Sequence, residues 1–120
     1  MIRRALLVLA VSTAAALGGA VPAEAATRLT ATVGPNASIS LKTSAGRAVR
    51  SLKAGSYVIQ VRDRSRAHNF HLSGPTNALN RTTSTRFVGT TTWRLRFIKG
   101  TYRFACDPHA RAMKGSFVVR

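Results

Sequence analysis

Acidic residues are almost missing from this chain. Its 120 residues include three, Glu24, Asp63 and Asp107, against 19 Lys and Arg, a formal net charge of +16. There is one cysteine, Cys106, so a disulfide framework within one chain is excluded. After residue 25 no apolar run is long enough to span a bilayer. Amphipathic helical periodicity is also missing, which excludes helical bundles and alternating α/β architectures. Internal repeats and low-complexity tracts are absent after the first 25 residues.

The N-terminus reads as an export signal. Arg3 and Arg4 form a positive n-region, Ala5 to Leu17 is small and apolar apart from Ser12 and Thr13, and Ala23-Glu24-Ala25 fits an A-x-A cleavage site. The expected division is therefore a signal peptide at 1–25 and one domain at 26–120. Losing Arg3, Arg4 and Glu24 leaves 17 basic residues against Asp63 and Asp107, a net charge of +15. Such a charge favours acidic protein partners, anionic cell-wall polymers or membrane surfaces, and it binds nucleic acid without specificity. Export to the periplasm or the cell exterior makes a specific nucleic-acid partner unexpected. A monomer is the expected state.

What the chain does have is period-two alternation. Leu29, Ala31 and Val33 alternate with polar residues, as do Ile39 and Leu41, then Tyr57, Ile59 and Val61, and then Trp93, Leu95 and Phe97. Gly34-Pro35-Asn36, Ser44-Ala45-Gly46-Arg47 and Lys99-Gly100 supply turns between them, while 74–85 is rich in turn formers and reads as loop. Short alternating strands with closely spaced turns predict an all-β antiparallel sandwich or barrel.

The chemistry concentrates in Cys106-Asp107-Pro108-His109-Ala110-Arg111-Ala112-Met113, a C-x-x-H-x-x-x-M pattern. Thiolate, imidazole and thioether within eight residues suit a soft metal; thiolate and thioether favour Cu(I), and imidazole serves copper in both oxidation states. Tyr102, Phe104 and Cys106 fall on one face of the preceding strand, which aims the sulfur at the apolar interior. Pro108 stops that strand. Two further histidines, His68 and His71, lie upstream; in a strand they point to opposite faces, so both cannot readily reach one ion.

Four stretches together resemble the cupredoxins, in their small plastocyanin-like form: His68-Asn69-Phe70, Gly100 to Cys106, the Cys-to-Met loop, and Lys114 to Val119. The loop leaves two residues between Cys106 and His109 and three between His109 and Met113, where plastocyanin has two and then four. The resemblance implies a Greek-key β-sandwich of about seven or eight strands. It implies one type-1 copper ion held by His68, Cys106, His109 and Met113, with His109 near the surface where electrons enter and leave. It also selects His68 over His71, because Asn69 follows it. Asn69 is then expected to tie its strand to the cysteine loop, and His71 to be structural or a surface residue. The implied function is one-electron transfer with an acidic redox partner, not enzymatic catalysis, since the four ligands leave no open position for substrate. Two rivals remain, an exported copper chaperone or sequestering protein, and a metal-free basic sandwich that binds anionic polymers.

Overall fold

A computed structural model describes residues 25–120. The expected signal peptide and its cleavage site fall almost entirely outside the described residues. Nine strands form: β1 (Thr27–Val33), β2 (Ile39–Thr43), β3 (Ser51–Leu52), β4 (Gly55–Asp63), β5 (His71–Ser73), β6 (Asn80–Thr82), β7 (Gly89–Phe97), β8 (Gly100–Ala105) and β9 (Lys114–Val119). They build two sheets, in the orders β2-β1-β4-β7 and β3-β9-β8-β5-β6. The count exceeds the seven or eight expected because β3 and β6 are only two and three residues long. Both sheets are mixed: β1 runs parallel to β4 and β3 parallel to β9, while the remaining pairs are antiparallel.

The alternation decides which faces meet. Leu29, Ala31, Val33, Tyr57, Ile59, Val61, Trp93, Leu95 and Phe97 from the first sheet pack onto Leu72, Tyr102, Phe104, Phe117 and Val119 from the second. Burying each large side chain contributes roughly 1.5–3 kcal/mol, so this face-to-face packing dominates the stability of the sandwich. Phe97, Tyr102 and Phe117 cluster with ring centroids 4.8–5.4 Å apart. The Tyr102 hydroxyl donates to the Ile98 carbonyl at 2.9 Å and accepts from the Ile98 amide at 3.0 Å, which fixes the β7–β8 turn.

At the other end, Phe70 stacks on Phe104 at 5.5 Å, beside Trp93. Phe104 lies directly opposite Gly115 in the β8–β9 pair. A methyl group on Gly115 would sit 2.7 Å from Cε2 of that ring and nearer still to Cζ. Gly115→Ala is therefore expected to lower stability by about 1–3 kcal/mol through overpacking, read as a shifted denaturant midpoint with unchanged slope. An unchanged midpoint would mean the ring moves aside freely.

Several chain segments converge at this end. β1 stops at Val33, β4 at Asp63 and β8 at Ala105, while β5 begins at His71 and β9 at Lys114. The 74–85 stretch holds more structure than its composition suggests, a 3-10 turn at Pro75–Asn77 and then β6, an edge strand on β5.

Candidate metal centre

The β4–β5 crossing and the β8–β9 loop carry the chemistry. After Ala105 the chain leaves the sheet at Cys106, which is fully buried, and makes a 3-10 turn over Asp107–His109. The backbone closes this loop tightly. The His109 amide donates to the Cys106 carbonyl at 3.0 Å, the Met113 amide to the His109 carbonyl at 2.8 Å, and the Cys106 amide to the Met113 carbonyl at 3.0 Å. Met113 is thereby held against Cys106 through the main chain, and its side chain is 1% exposed.

His68 comes from the crossing segment. It is buried, and its Nδ1 lies 3.5 Å from Cys106 Sγ and 3.1 Å from Nδ1 of His109. His109 Nδ1 lies 3.6 Å from the same sulfur, and the His109 side chain is exposed. Two ring nitrogens and one sulfur thus converge from positions 38 and 41 residues apart in sequence. Bonds of about 2.0 Å to nitrogen and 2.3 Å to sulfur would let donors sharing one ion stand up to about 4.3 Å apart. All three separations lie inside that limit, so the set fits a single soft ion bridging both imidazoles and the thiolate.

A hydrogen-bond bracket holds the two segments together. The Asp107 amide donates to Asn69 Oδ1 at 2.7 Å, while Asn69 Nδ2 donates to Asp107 Oδ2 at 2.8 Å and to Thr82 Oγ1 at 3.0 Å. The backbone donor fixes which end of the amide is oxygen. Asn69 therefore joins the residue after His68 to the residue after Cys106. His71 stands apart from the cluster. Its Nδ1 faces Asp107 Oδ1 at 2.8 Å, and its Nε2 faces Asn80 Oδ1 on β6.

Sequence reasoning passed over Asp63 and Thr83. Asp63 is 1% exposed, accepts from the Ser65 amide at 3.2 Å, and accepts from the Thr83 hydroxyl at 3.1 Å. Thr83 Oγ1 in turn accepts the Phe70 amide at 2.8 Å. This buried chain pins both ends of the segment that carries His68. Burial pushes the Asp63 carboxyl up, against the pull of the Ser65 amide, the Thr83 hydroxyl and the His68 ring. A signal for Asp63 did exist. In so basic a chain, the two side-chain carboxylates among the described residues, Asp63 and Asp107, are anomalies, and both are committed to holding the site.

Asp107 and His71 titrate as a pair. Burial acts to lift Asp107, but hydrogen bonds from Asn69 and His71 bring it below its ordinary 3.8. Burial acts to lower His71, but Asp107 and Asn80 bring it above its ordinary 6.5. The histidine's contribution is complete below 6.5 and is lost as pH rises through its folded value. The aspartate's is present above 3.8 and is lost as pH falls through its folded value. Their side chains are 30% and 54% exposed, so the pair is screened and contributes about 1 kcal/mol or less. His71→Ala should therefore lower Tm more at pH 5 than at pH 9, and an equal loss at both would remove the ion pair from the account.

With the site in view, known structures can be set beside it. Reduced rusticyanin is 20% identical, with 78% of each chain covered and a TM-score of 0.58. Rusticyanin from Thiobacillus ferrooxidans is 19% identical over 78% of this chain and 76% of that one, TM-score 0.55. This protein has the cupredoxin fold. A methionine-to-glutamine mutant of amicyanin, in its Cu(I) form, is another cupredoxin neighbour, 17% identical over 78% and 83% of the two chains, TM-score 0.52. No protein-family model matches the chain, and no curated protein matches it in sequence. The cupredoxin likeness is thus one of backbone. Within that fold, the cluster sits where the loop after β8 folds back over the end of the sandwich.

Proposed function

We propose that this protein is an exported blue-copper electron carrier that holds one ion at His68, Cys106, His109 and Met113. The observation that carries the reading is the convergence of two Nδ1 atoms and one Sγ, 3.1–3.6 Å from one another, at a fully buried cysteine. When bound, copper supplies the one-electron Cu(I)/Cu(II) couple. The chain's residues do the rest. Cys106 offers its sulfur from a dry interior, backed by Phe104 and Phe70. Met113 would offer a thioether as a further, weaker donor. The Asn69 bracket and the loop's backbone bonds resist movement of the donors, so little has to reorganise when charge changes. His109, alone of the three convergent residues, is exposed, and its ring is the route for electrons in and out.

The signal peptide at 1–25 would deliver the domain 26–120 to the periplasm or the cell surface. Among the described residues no helix is long and apolar enough to cross a membrane. The basic surface would steer an acidic redox partner, with association slowing as salt rises, and would favour contact with an anionic envelope. A copper-delivery role fits less well. Delivery needs a thiolate that an acceptor can reach, and Cys106 has no exposed surface.

The test is the visible spectrum of the purified protein with one equivalent of Cu(II). An intense blue thiolate-to-copper band, bleached by ascorbate and restored by ferricyanide, supports the carrier. A colourless protein that still takes up Cu(I) points to copper carriage, and a protein that binds no copper overturns the metal reading.

A further inference from the structure

The outer face of the β2-β1-β4-β7 sheet carries five arginine and lysine side chains and no carboxylate. Strand register sets their arrangement. Arg28 and Arg94 flank Val58 across three strands; Arg96 follows Arg94 along β7, opposite Ser56; Lys42 lies opposite Thr30, and Arg62 opposite Thr32 and Thr90. All five cations are exposed. The lone ion pair among the described residues is His71–Asp107, so none of the five is neutralised by a neighbour. Asp63, on β4, points inward and is buried.

A shallow groove of about 360 Å³ runs over this face between Arg28 and Arg94, with Thr30, Gln60 and Thr92 offering hydroxyl and amide groups along it. Strands are about 4.8 Å apart and alternate residues about 6.7 Å apart, so Arg28, Lys42, Arg94 and Arg96 each stand roughly 7–10 Å from another of the four, with Arg62 about 12–14 Å from its nearest neighbours. On the opposite sheet's outer surface Arg103 and Lys114 are diagonal neighbours beside Ser116 and Ala105, and beyond Arg103 the surface turns to Thr101 and the exposed Val118.

We propose that this face binds a linear polyol-phosphate polymer, with arginine forks on the phosphodiesters and the threonine and glutamine side chains on the polyol hydroxyls. Planar guanidinium groups match phosphate geometry in a way single ammonium charges do not. The face has no aromatic ring to stack on a nucleobase or sugar; within its strands the one aliphatic side chain, Val58, is half-buried, and the exposed Val88 and Ile98 stand singly just beyond the two ends of β7. Isolated aliphatic side chains do not make the continuous apolar face that enters a lipid layer, which sets a polymer in the groove above a membrane surface. Most of the grid lies on the flat side of the sandwich and His109 at its end, so a bound polymer leaves the exposed imidazole free. The inference deepens the envelope association and rests on the exported reading, but its test needs neither export nor copper.

The test titrates poly(glycerol phosphate) into the purified protein by calorimetry, at several salt concentrations. Arg28→Gln/Arg94→Gln should weaken binding about tenfold or more and reduce the salt slope by about two. The charge-matched Arg50→Gln/Arg120→Gln, both exposed at the edge of the other sheet, should change affinity by less than about threefold. Unchanged melting temperatures confirm that each variant is folded. Equal losses in both pairs would mean diffuse charge and overturn the site. Vesicles of phosphatidylglycerol that bind more tightly than the polymer, or a polymer that does not bind, would overturn it as well.

Discussion

Replacing Cys106 with serine should remove entirely the blue band expected of the Cu(II)-loaded protein and leave the sandwich folded. The band requires a copper–thiolate bond, and Cys106 is the single cysteine in the chain. Serine offers a hard, protonated oxygen in the same place, which the preference of copper for soft donors disfavours. The main-chain bonds of the loop do not use the side chain: the Cys106 amide still reaches the Met113 carbonyl, and the Cys106 carbonyl still accepts from His109. The cost to stability should be about 1–3 kcal/mol, set by a hydroxyl placed in a fully buried site with two imidazoles as nearby partners. Absorption and circular dichroism on one sample separate the two effects. A serine variant that stays blue would sink the metal centre as drawn here, and one that unfolds would show that the thiol's packing matters more than its loop.

Much of this architecture is legible from local pattern. Period two in β1, β4, β7 and β8 sorts their residues correctly into inner and outer faces, because a one-residue slip would expose every apolar side chain at once. The same rule buries Cys106 after Tyr102 and Phe104. What local pattern misses is pairing that depends on distant partners. β3 has two residues and no alternation to read; it forms because β9 offers an edge to Ser51 and Leu52. Asn80, Arg81 and Thr82 are all exposed and polar, and they become a strand by pairing with β5. Arg81 also covers the Trp93 ring at 5.3 Å, a contact with no trace in its neighbours along the chain.

The site divides the same way. Cys106, His109 and Met113 are close in sequence, so their spacing already speaks of a shared ligand loop. His68 is far away, and only the Greek-key crossing brings its Nδ1 within 3.1 Å of His109. Asp63 and Thr83 are invisible to spacing, since their roles appear only once β4, the crossing and β6 are assembled.

Asn69→Ala should destabilise the fold strongly for a change to a polar side chain. Asn69 is 3% exposed and makes three hydrogen bonds at 3.0 Å or less. Alanine leaves the Asp107 amide and one Asp107 carboxylate oxygen without their partner, and opens a void between the crossing segment and the ligand loop. Stranding such groups costs about 1–3 kcal/mol, and the lost packing raises the total to about 2–4 kcal/mol. For a domain of this size that corresponds to a fall in Tm of roughly 10–25 °C. Thr82→Val removes one of the three bonds and should cost less than half as much. Asn69→Asp should be as damaging as alanine, because it sets a second carboxylate against Asp107 where a donor stood. Copper affinity should fall by about 10–100-fold in the alanine variant, the usual effect of removing an outer contact that orients ligands. If Asn69→Ala melts within about 2 °C of the parent, the bracket is not what joins the two halves of the site, and the backbone closure between Cys106 and Met113 must hold the loop by itself.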